Sequence, residues 1–245
     1  MKALSAIRGA ARSVRIYRLD RRHAAGLRRL YAPFVRRGDL VFDIGAHAGD
    51  RVAAFRALGA RVVAVEPQRL LARLLAAERL LDRDATVLRC GVGARRGVAR
   101  MQVNAANPTV STFAEGFVAA AAGREGWRDQ VWSGSADVEI ETLDALIARF
   151  GRPSFVKIDV EGWEADVLAG LSHPAPALSF EVTTVDRTAA LSALEQAARL
   201  GYRAFRISYG ESHAFAGPWS GLAAMRARLA SMPDAANSAD VYCRL

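Results

Sequence analysis

Long apolar runs are missing from this chain of 245 residues. The longest uncharged stretches, such as Val167–Phe180, are 14 residues, and that one includes His173, Pro174 and Pro176. A membrane-spanning helix needs ~20 apolar residues, so none is expected. The first 20 residues also lack the apolar core of a secretory signal. Cysteine is scarce: Cys90 and Cys243 fall in separate predicted strands without C-x-x-C spacing. Free thiols in a reducing, cytoplasmic compartment are the expectation. Lysine is nearly absent, with arginine supplying 32 of the 34 basic residues. Charge imbalance is absent from most of the chain as well. Residues 41–245 hold 23 basic and 23 acidic residues, so the formal charge of +9 comes entirely from residues 1–40. A neutral body with no RNP signature and no N-P-P-F/Y base-pocket motif disfavours nucleic acid as the partner.

What is present suffices for one large α/β domain: 51% of the residues are hydrophobic and 24% charged. The spacing predicts a basic helical extension over 1–39 and a catalytic domain over 40–245. In the extension, Leu4, Ile7, Ala11 and Val14 recur at helical spacing with Arg8, Arg12 and Arg15 between them. Such a helix suits an anionic membrane surface, including peripheral contact at the inner membrane, or nucleic acid. It equally suits a solvated helix capping the domain.

The most informative stretch is VFDIGAHAGD, residues 41–50, followed by RVVAVEP. A strand ends in Asp43, Gly45 and Gly49 bracket a tight turn into a helix, and a second strand closes on Glu66, 23 residues after Asp43. This is a βαβ unit whose turn admits a ligand close to the backbone and whose second strand offers a carboxylate to a ribose diol. The dinucleotide fingerprint G-x-G-x-x-G fails, because His47 stands at its second glycine. The pattern D-x-G-x-x-x-G is the class I methyltransferase motif and suits a ligand without a pyrophosphate, such as S-adenosylmethionine. Asp43 is suited to its ammonium and Glu66 to its ribose. His47 is a candidate ligand contact or a plain helix-start residue.

Strand and helix patterns alternate through the rest of the chain. Strands are expected at Leu40–Phe42, Val62–Glu66, Ala85–Cys90, Val138–Ile140, Phe155–Val160, Ala177–Val182, Tyr202–Ile207 and Val241–Arg244, with helices between them. Residues 104–137 break the rhythm and read as an active-site cover. Seven core strands with interleaved helices predict a doubly wound, mostly parallel α/β sheet of the Rossmann-like kind.

In such sheets ligands bind beyond the carboxyl ends of the strands. Asp43, Glu66, Asp159 with Glu161, and Glu181 all stand at predicted strand ends. Lys157 and Asp159 share one strand face, opposite Val156 and Ile158. A lysine in an apolar strand is costly unless paired, so Asp159, Glu161 or Glu181 is expected to neutralise it. The group reads either as an internal ion pair or as a polar pocket that positions or deprotonates a substrate hydroxyl.

DIGAHAGD with VEP, ETLDALI (141–147), KIDVEGWEADVLAGL (157–171) and SFEV (179–182) resemble the FkbM-type S-adenosylmethionine-dependent methyltransferases, from about Leu40 to Glu181. The resemblance implies a seven-stranded class I fold and methyl transfer, most often to a hydroxyl of a macrolide, sugar, glycan or glycolipid. It implies donor binding at Asp43, Gly45, Gly49 and Glu66, and a second signature at Lys157, Asp159, Glu161 and Gly162. Family members commonly carry Asn where His47 stands. The acceptor, and segment 1–39, lie outside what it implies.

A neutral alcohol is a poor nucleophile, so a base or a metal near Asp159 and Glu181 would assist transfer. No third metal ligand is visible, and metal-independent chemistry is the expectation. His213 is a candidate base from a loop. Asn107, Thr109, Ser111 and Thr112 suit a polyol, and Trp127, Trp132 and Trp219 suit either a sugar face or the anchoring of loops. The alternative to a small-molecule or glycan O-methyltransferase is a nucleic-acid methyltransferase or RNA binder using the arginine-rich arm.

Overall fold

The computed structural model describes residues 2–18 and 20–245. It opens with two helices, α1 (Lys2–Arg18) and α2 (Arg21–Tyr31). The α/β succession then runs β1 (Leu40–Ile44), α3 (Asp50–Ala57), β2 (Arg61–Val65), α4 (Arg69–Glu78) and β3 (Ala85–Leu88). A smaller set follows, with β4 (Gly91–Val92), β5 (Gly97–Val103), α5 (Glu115–Ala121) and β6 (Gly134–Glu141). The chain continues through α6 (Leu143–Phe150), β7 (Phe155–Ile158), α7 (Glu164–Ala169), β8 (Ala177–Thr183) and α8 (Arg187–Arg199). It ends with β9 (Ala204–Tyr209), α9 (Leu222–Ala230) and β10 (Ser238–Arg244).

Seven strands form the main sheet in the order β3-β2-β1-β7-β8-β10-β9, parallel except for β10, which runs antiparallel to both β8 and β9. This is the expected doubly wound, mostly parallel α/β sheet. Its central strands β1 and β7 are buried along their whole length, as parallel strands covered on both faces must be. One face packs Phe42, Val156, Phe180 and Val241 against Leu146, Val167, Leu194 and Leu229 from α6 to α9. The other packs Val41, Phe155 and Tyr242 against Leu27 and Tyr31 of α2 and Val52 and Phe55 of α3.

Both N-terminal helices pack on the domain. Asp20 caps α2 by accepting from the backbone N–H groups of Arg22 and His23. Leu27, Leu30 and Tyr31 are buried in the core, each side chain contributing ~1.5–3 kcal/mol by leaving water. On α1 the apolar stripe anticipated from Ile7, Ala11 and Val14 is not the packed face. Ile7 and Ala11 are exposed, whereas Gly9, Ala10 and Ser13 are buried. Small residues win because they let the helix backbone approach: a Cβ on Gly9 would sit 2.7 Å from the carbonyl oxygen of Ala105. The side chain of Leu4 lies outside the described residues.

Two further expectations change. The strand around Val138–Ile140 does not enter the main sheet; it belongs to β6, which joins β4 and β5 in a separate three-stranded sheet. Its alternation, with Val138 and Ile140 buried and Asp137 and Glu139 exposed, is that of a sheet wet on one side. Residues 104–137, read as irregular, contain a 3-10 turn at Pro108–Val110 and α5. No helix among the described residues is long and apolar enough to cross a membrane.

Candidate active site

The first turn leaves β1 at Gly45, whose φ is +85° and whose Cβ, if it had one, would lie 1.8 Å from the carbonyl oxygen of Asp159. No side chain fits there, and the ends of β1 and β7 close together as a result. The N–H groups of Gly45 and Ala46 donate to the carbonyl of Val65 at 2.9 and 3.0 Å, tying the turn to the end of β2. His47 takes a left-handed φ of 46°, which Asn and His tolerate better than most residues. Its backbone N–H donates to Glu66 Oε2 at 2.8 Å, and Gln68 N–H donates to Glu66 Oε1 at 2.8 Å. Two backbone donors thus fix the Glu66 carboxylate at the cavity wall with lone pairs to spare. Burial raises its pKa to about 7. Burial also lowers the pKa of the His47 ring, whose Nε2 lies 3.4 Å from Thr109 Oγ1.

The second set stands on β7, β8 and β10. Register places Asp43 beside Lys157, Lys157 beside Ser179, and Glu181 beside Asp240. The Lys157 ammonium is fully buried. It donates to Asp240 Oδ1 at 2.7 Å, Asp159 Oδ2 at 3.2 Å and the Ile158 carbonyl at 3.2 Å. Its nearest partner is therefore Asp240, outside the three acids anticipated; Asp159 is the second. Arg51 on α3 adds a guanidinium 3.0 Å from Asp50 and 3.7 Å from Asp159. Although burial opposes it, these two cations hold the Asp159 carboxyl below the usual carboxylate range. Asp159, Glu161 and Glu181 bring one carboxylate oxygen each within 4.8 Å of the others. Burial first, then repulsion from Asp159, pushes Glu161 and Glu181 well above the carboxylate range.

Glu161 is presented by a turn that Glu164 ties down, its carboxylate accepting from the N–H groups of Val160 and Gly162. Glu161 itself has φ 56°, and its carbonyl accepts from Thr112 Oγ1 at 2.7 Å. Thr112 belongs to the cover over the site. Asn104 organises that cover, accepting from the N–H of Asn107 and donating to Gln130. Trp132 donates to the Val110 carbonyl, and Trp127 packs edge-on against Phe117. Trp219 packs against Phe34 and under Arg244. All three tryptophans are held in protein contacts.

Between the donor turn, the acids and the cover lies a cavity of about 520 Å³. Gly45, His47, Glu66, Asp159, Glu161 and Glu181 line it together, with Asn107, Thr109 and Ser111 from the cover. Gly162, Thr112, His213, Trp132 and Trp219 do not line it, and nor do Gly49, Lys157 and Asp43. Gly49 opens α3 behind the turn with φ 78°, and Lys157 supports Asp159 from inside. Asp43 is fully buried with both carboxylate oxygens unpartnered, and burial raises its pKa to about 7. The lining also includes residues without a sequence signal, Arg12, Ser13 and Tyr17 of α1 among them. Arg18 fastens α1 there, donating to the Gly49 carbonyl at 2.6 Å and to Glu78 at 2.9 Å. Asp50 closes the stretch DIGAHAGD and Arg51 directly follows it, and Glu211 comes from the turn after β9. In all, six acids line the cavity (Asp50, Glu66, Asp159, Glu161, Glu181 and Glu211) against Arg12 and Arg51.

The family model described as Methyltransferase FkbM domain matches residues 43–220. No curated protein matches the chain significantly. Among solved structures, precorrin-6y C5,15-methyltransferase from Geobacter metallireducens GS-15 is 11% identical, with 90% of this chain and 86% of that chain covered and a TM-score of 0.46. A TehB-like SAM-dependent methyltransferase from Corynebacterium glutamicum is 11% identical over 89% and 86%, with a TM-score of 0.44. Fibrillarin from Aeropyrum pernix, in complex with natively bound S-adenosyl-L-methionine, is 10% identical over 86% and 68%, also at 0.44. At such values these likenesses add nothing to the strand order itself.

Proposed function

The chain belongs to the FkbM methyltransferase family, and from that premise we propose that it methylates a hydroxyl oxygen of a sugar, a glycan or glycolipid, or a natural product. S-adenosylmethionine is its methyl donor. The observation that carries the reading is the excess of acids in one cavity, six against two arginines. A sulfonium that also bears an ammonium is the kind of ligand that offsets such an excess.

The residues present fit the donor. Glu66 has free lone pairs at the wall for a ribose diol, and the Gly45–His47 turn leaves backbone exposed to a ligand. When bound, the donor supplies an electrophilic methyl whose leaving group is a neutral thioether. This chain's own residues then have three tasks. Asp159, kept ionised by Lys157 and Arg51, accepts a hydrogen bond from the acceptor hydroxyl and orients it. Glu181 loses its own proton to solvent when the cationic donor binds, and the carboxylate so formed takes the hydroxyl proton; Glu161 stands beside it as the second candidate. Asn107, Thr109 and Ser111 offer hydrogen bonds to further hydroxyls, and the cover with α1 limits access of water. Alignment of this sort supplies ~7–11 kcal/mol of a barrier. The buried, unpaired thiols Cys90 and Cys243 support a reducing, cytoplasmic setting.

The test is transfer of label from methyl-labelled S-adenosylmethionine into fractionated extract. Label in a glycan, glycolipid or small molecule, as an ether that survives mild base, supports the reading. Label released by ribonuclease would favour the nucleic-acid alternative, for which exposed Arg8, Arg12 and Arg15 on α1 are the favouring feature.

A further inference from the structure

Outside the methyl-transfer residues, α2 and the turn after β9 bring two imidazoles and a carboxylate together. His23 Nδ1 lies 3.5 Å from Glu211 Oε2, His213 Nε2 lies 3.2 Å from the same oxygen, and one ligand atom from each residue falls within 4.8 Å of the others. Edges of that length are what a tetrahedron with metal–ligand bonds of about 2.0–2.2 Å requires, on the order of 3.3–3.5 Å. The histidines are mostly buried, and their rings meet edge to face at 4.7 Å between centroids.

The surrounding contacts turn one nitrogen of each ring toward the centre. His23 Nε2 is 2.7 Å from Asp50 Oδ2. Asp50 Oδ2 accepts from His23 Nε2–H, and this contact turns His23 Nδ1 toward Glu211 Oε2. His213 Nε2 is buried without a hydrogen-bond partner despite its closeness to Glu211. Two imidazole nitrogens and one carboxylate oxygen thus converge on one point, the donor set of a metal ion. Arg51 approaches the other oxygen, Glu211 Oε1, at 3.9 Å.

Backbone features serve the same arrangement. His213 takes φ 51°, a left-handed conformation, and its ring lies directly on α2 at Gly26. A Cβ at Gly26 would stand 2.5 Å from His213 Nδ1. Asp50 then has the place of a carboxylate behind a metal-bound histidine, fixing its tautomer and raising its basicity.

We propose that His23 Nδ1, His213 Nε2 and Glu211 Oε2 bind a divalent metal of the zinc class. Two imidazole nitrogens and one carboxylate oxygen suit zinc, and three protein ligands leave a fourth position for water or a ligand oxygen. The ion ties α2 to the turn after β9, and Glu211 is shared with the wall of the methyl-transfer cavity. This site stands apart from the proposed acceptor chemistry, and its test does not use turnover.

The experiment is titration of chelator-treated full-length protein with zinc by calorimetry, and with cobalt(II) by visible absorption. The wild type should take up one equivalent and show the intense bands of four-coordinate cobalt. The variants His23→Gln and His213→Gln should lose that equivalent. Gly26→Ala keeps every ligand and substitutes a better helix former, yet should displace the His213 ring and weaken binding. Circular dichroism and donor binding check that each chain is folded. Loss of metal from any folded variant of the three supports the site. Failure of the wild type to bind, or unchanged binding in all three variants, overturns it.

Discussion

Replacing Lys157 by Met should cost the fold about 3–5 kcal/mol at pH 7.5, the usual loss when a buried pair loses one member. Its ammonium sits 2.7 Å from Asp240 and 3.2 Å from Asp159. At an effective dielectric of ~20 those separations correspond to gross attractions of about 6 and about 5 kcal/mol. Desolvation of the ammonium, several kcal/mol, offsets part of that, and methionine fills the space without repaying the rest. The loss should also depend on pH with a definite sign. In the wild type, the lowered pKa of Asp159 gives stability that is present above the unfolded value, about 3.9, and lost only as pH falls through the folded one. In the variant the uncompensated acids bind protons more tightly when folded than when unfolded. Its stability therefore rises as pH drops from 7.5 to 5, and the gap to the wild type narrows. Glu66 and Asp43, with pKa values raised to about 7, titrate in both proteins and largely cancel in the difference. Urea unfolding at the two pH values measures both quantities. A loss below about 1 kcal/mol, or a gap that widens toward pH 5, would refute the assignment of Lys157 as the counter-charge of this group.

Glu66→Ala should weaken donor binding by about 1.5–3 kcal/mol, as the loss of a charged hydrogen-bond acceptor does; calorimetry with S-adenosylmethionine reads it directly. Glu181→Gln should lower turnover about 10²–10⁴-fold, the range of general-base catalysis, with donor affinity preserved; equal losses in both would move Glu181 into the donor site. Asp43→Asn should match the wild type near pH 4, close to the carboxyl's unfolded value of about 3.9. It should gain on the wild type as pH rises toward 7, where the folded carboxyl ionises, and the gain should level off above that; thermal melts from pH 4 to pH 8 check it. Vesicles of anionic lipid should sediment the protein in low salt and release it at high salt if the outward face of α1, with Ile7 56% exposed beside Arg8 and Arg15, meets a membrane. Ile7→Glu should abolish that sedimentation, and sedimentation unaffected by this change would assign the contact elsewhere.

The parts of the site that sequence reveals are those whose chemistry is local in the chain. The turn from Gly45 to Gly49 and the acid at Glu66 are linked by one short crossover, and the glycines have steric reasons visible within the motif. Lys157 shows equally well, since an ammonium in an apolar strand must find a counter-charge. Which acid supplies it does not show. Asp240 becomes the nearest partner because β10 inserts antiparallel between β8 and β9, a pairing across 83 residues with no local signature. The same limit hides Glu211 and Tyr17, brought to the cavity by packing of distant segments. Periodicity misleads for α1, where the sequence marks the large apolar residues and the packed face is made of small ones. It misleads again at Val138–Ile140, because alternation marks a half-buried strand without naming its sheet.

Electrostatics join these separate pieces. A chain that folds Asp50, Glu66, Asp159, Glu161, Glu181 and Glu211 around one cavity opposes its own stability, since each acid there is either desolvated or crowded by another. Lys157 and Arg51 neutralise the inner acids, Asp159 foremost. Glu66, Glu161 and Glu181 respond by binding protons: burial lifts Glu66 to about 7 and, with repulsion from Asp159, pushes Glu161 and Glu181 well above their ordinary range. A cationic donor entering this cavity favours the ionised form of every acid it approaches, so donor binding and loss of these protons are thermodynamically linked. The carboxylate that becomes the base is thus ionised, and so able to accept a proton, when the methyl is in place, and the donor relieves repulsion that bound protons relieve in its absence.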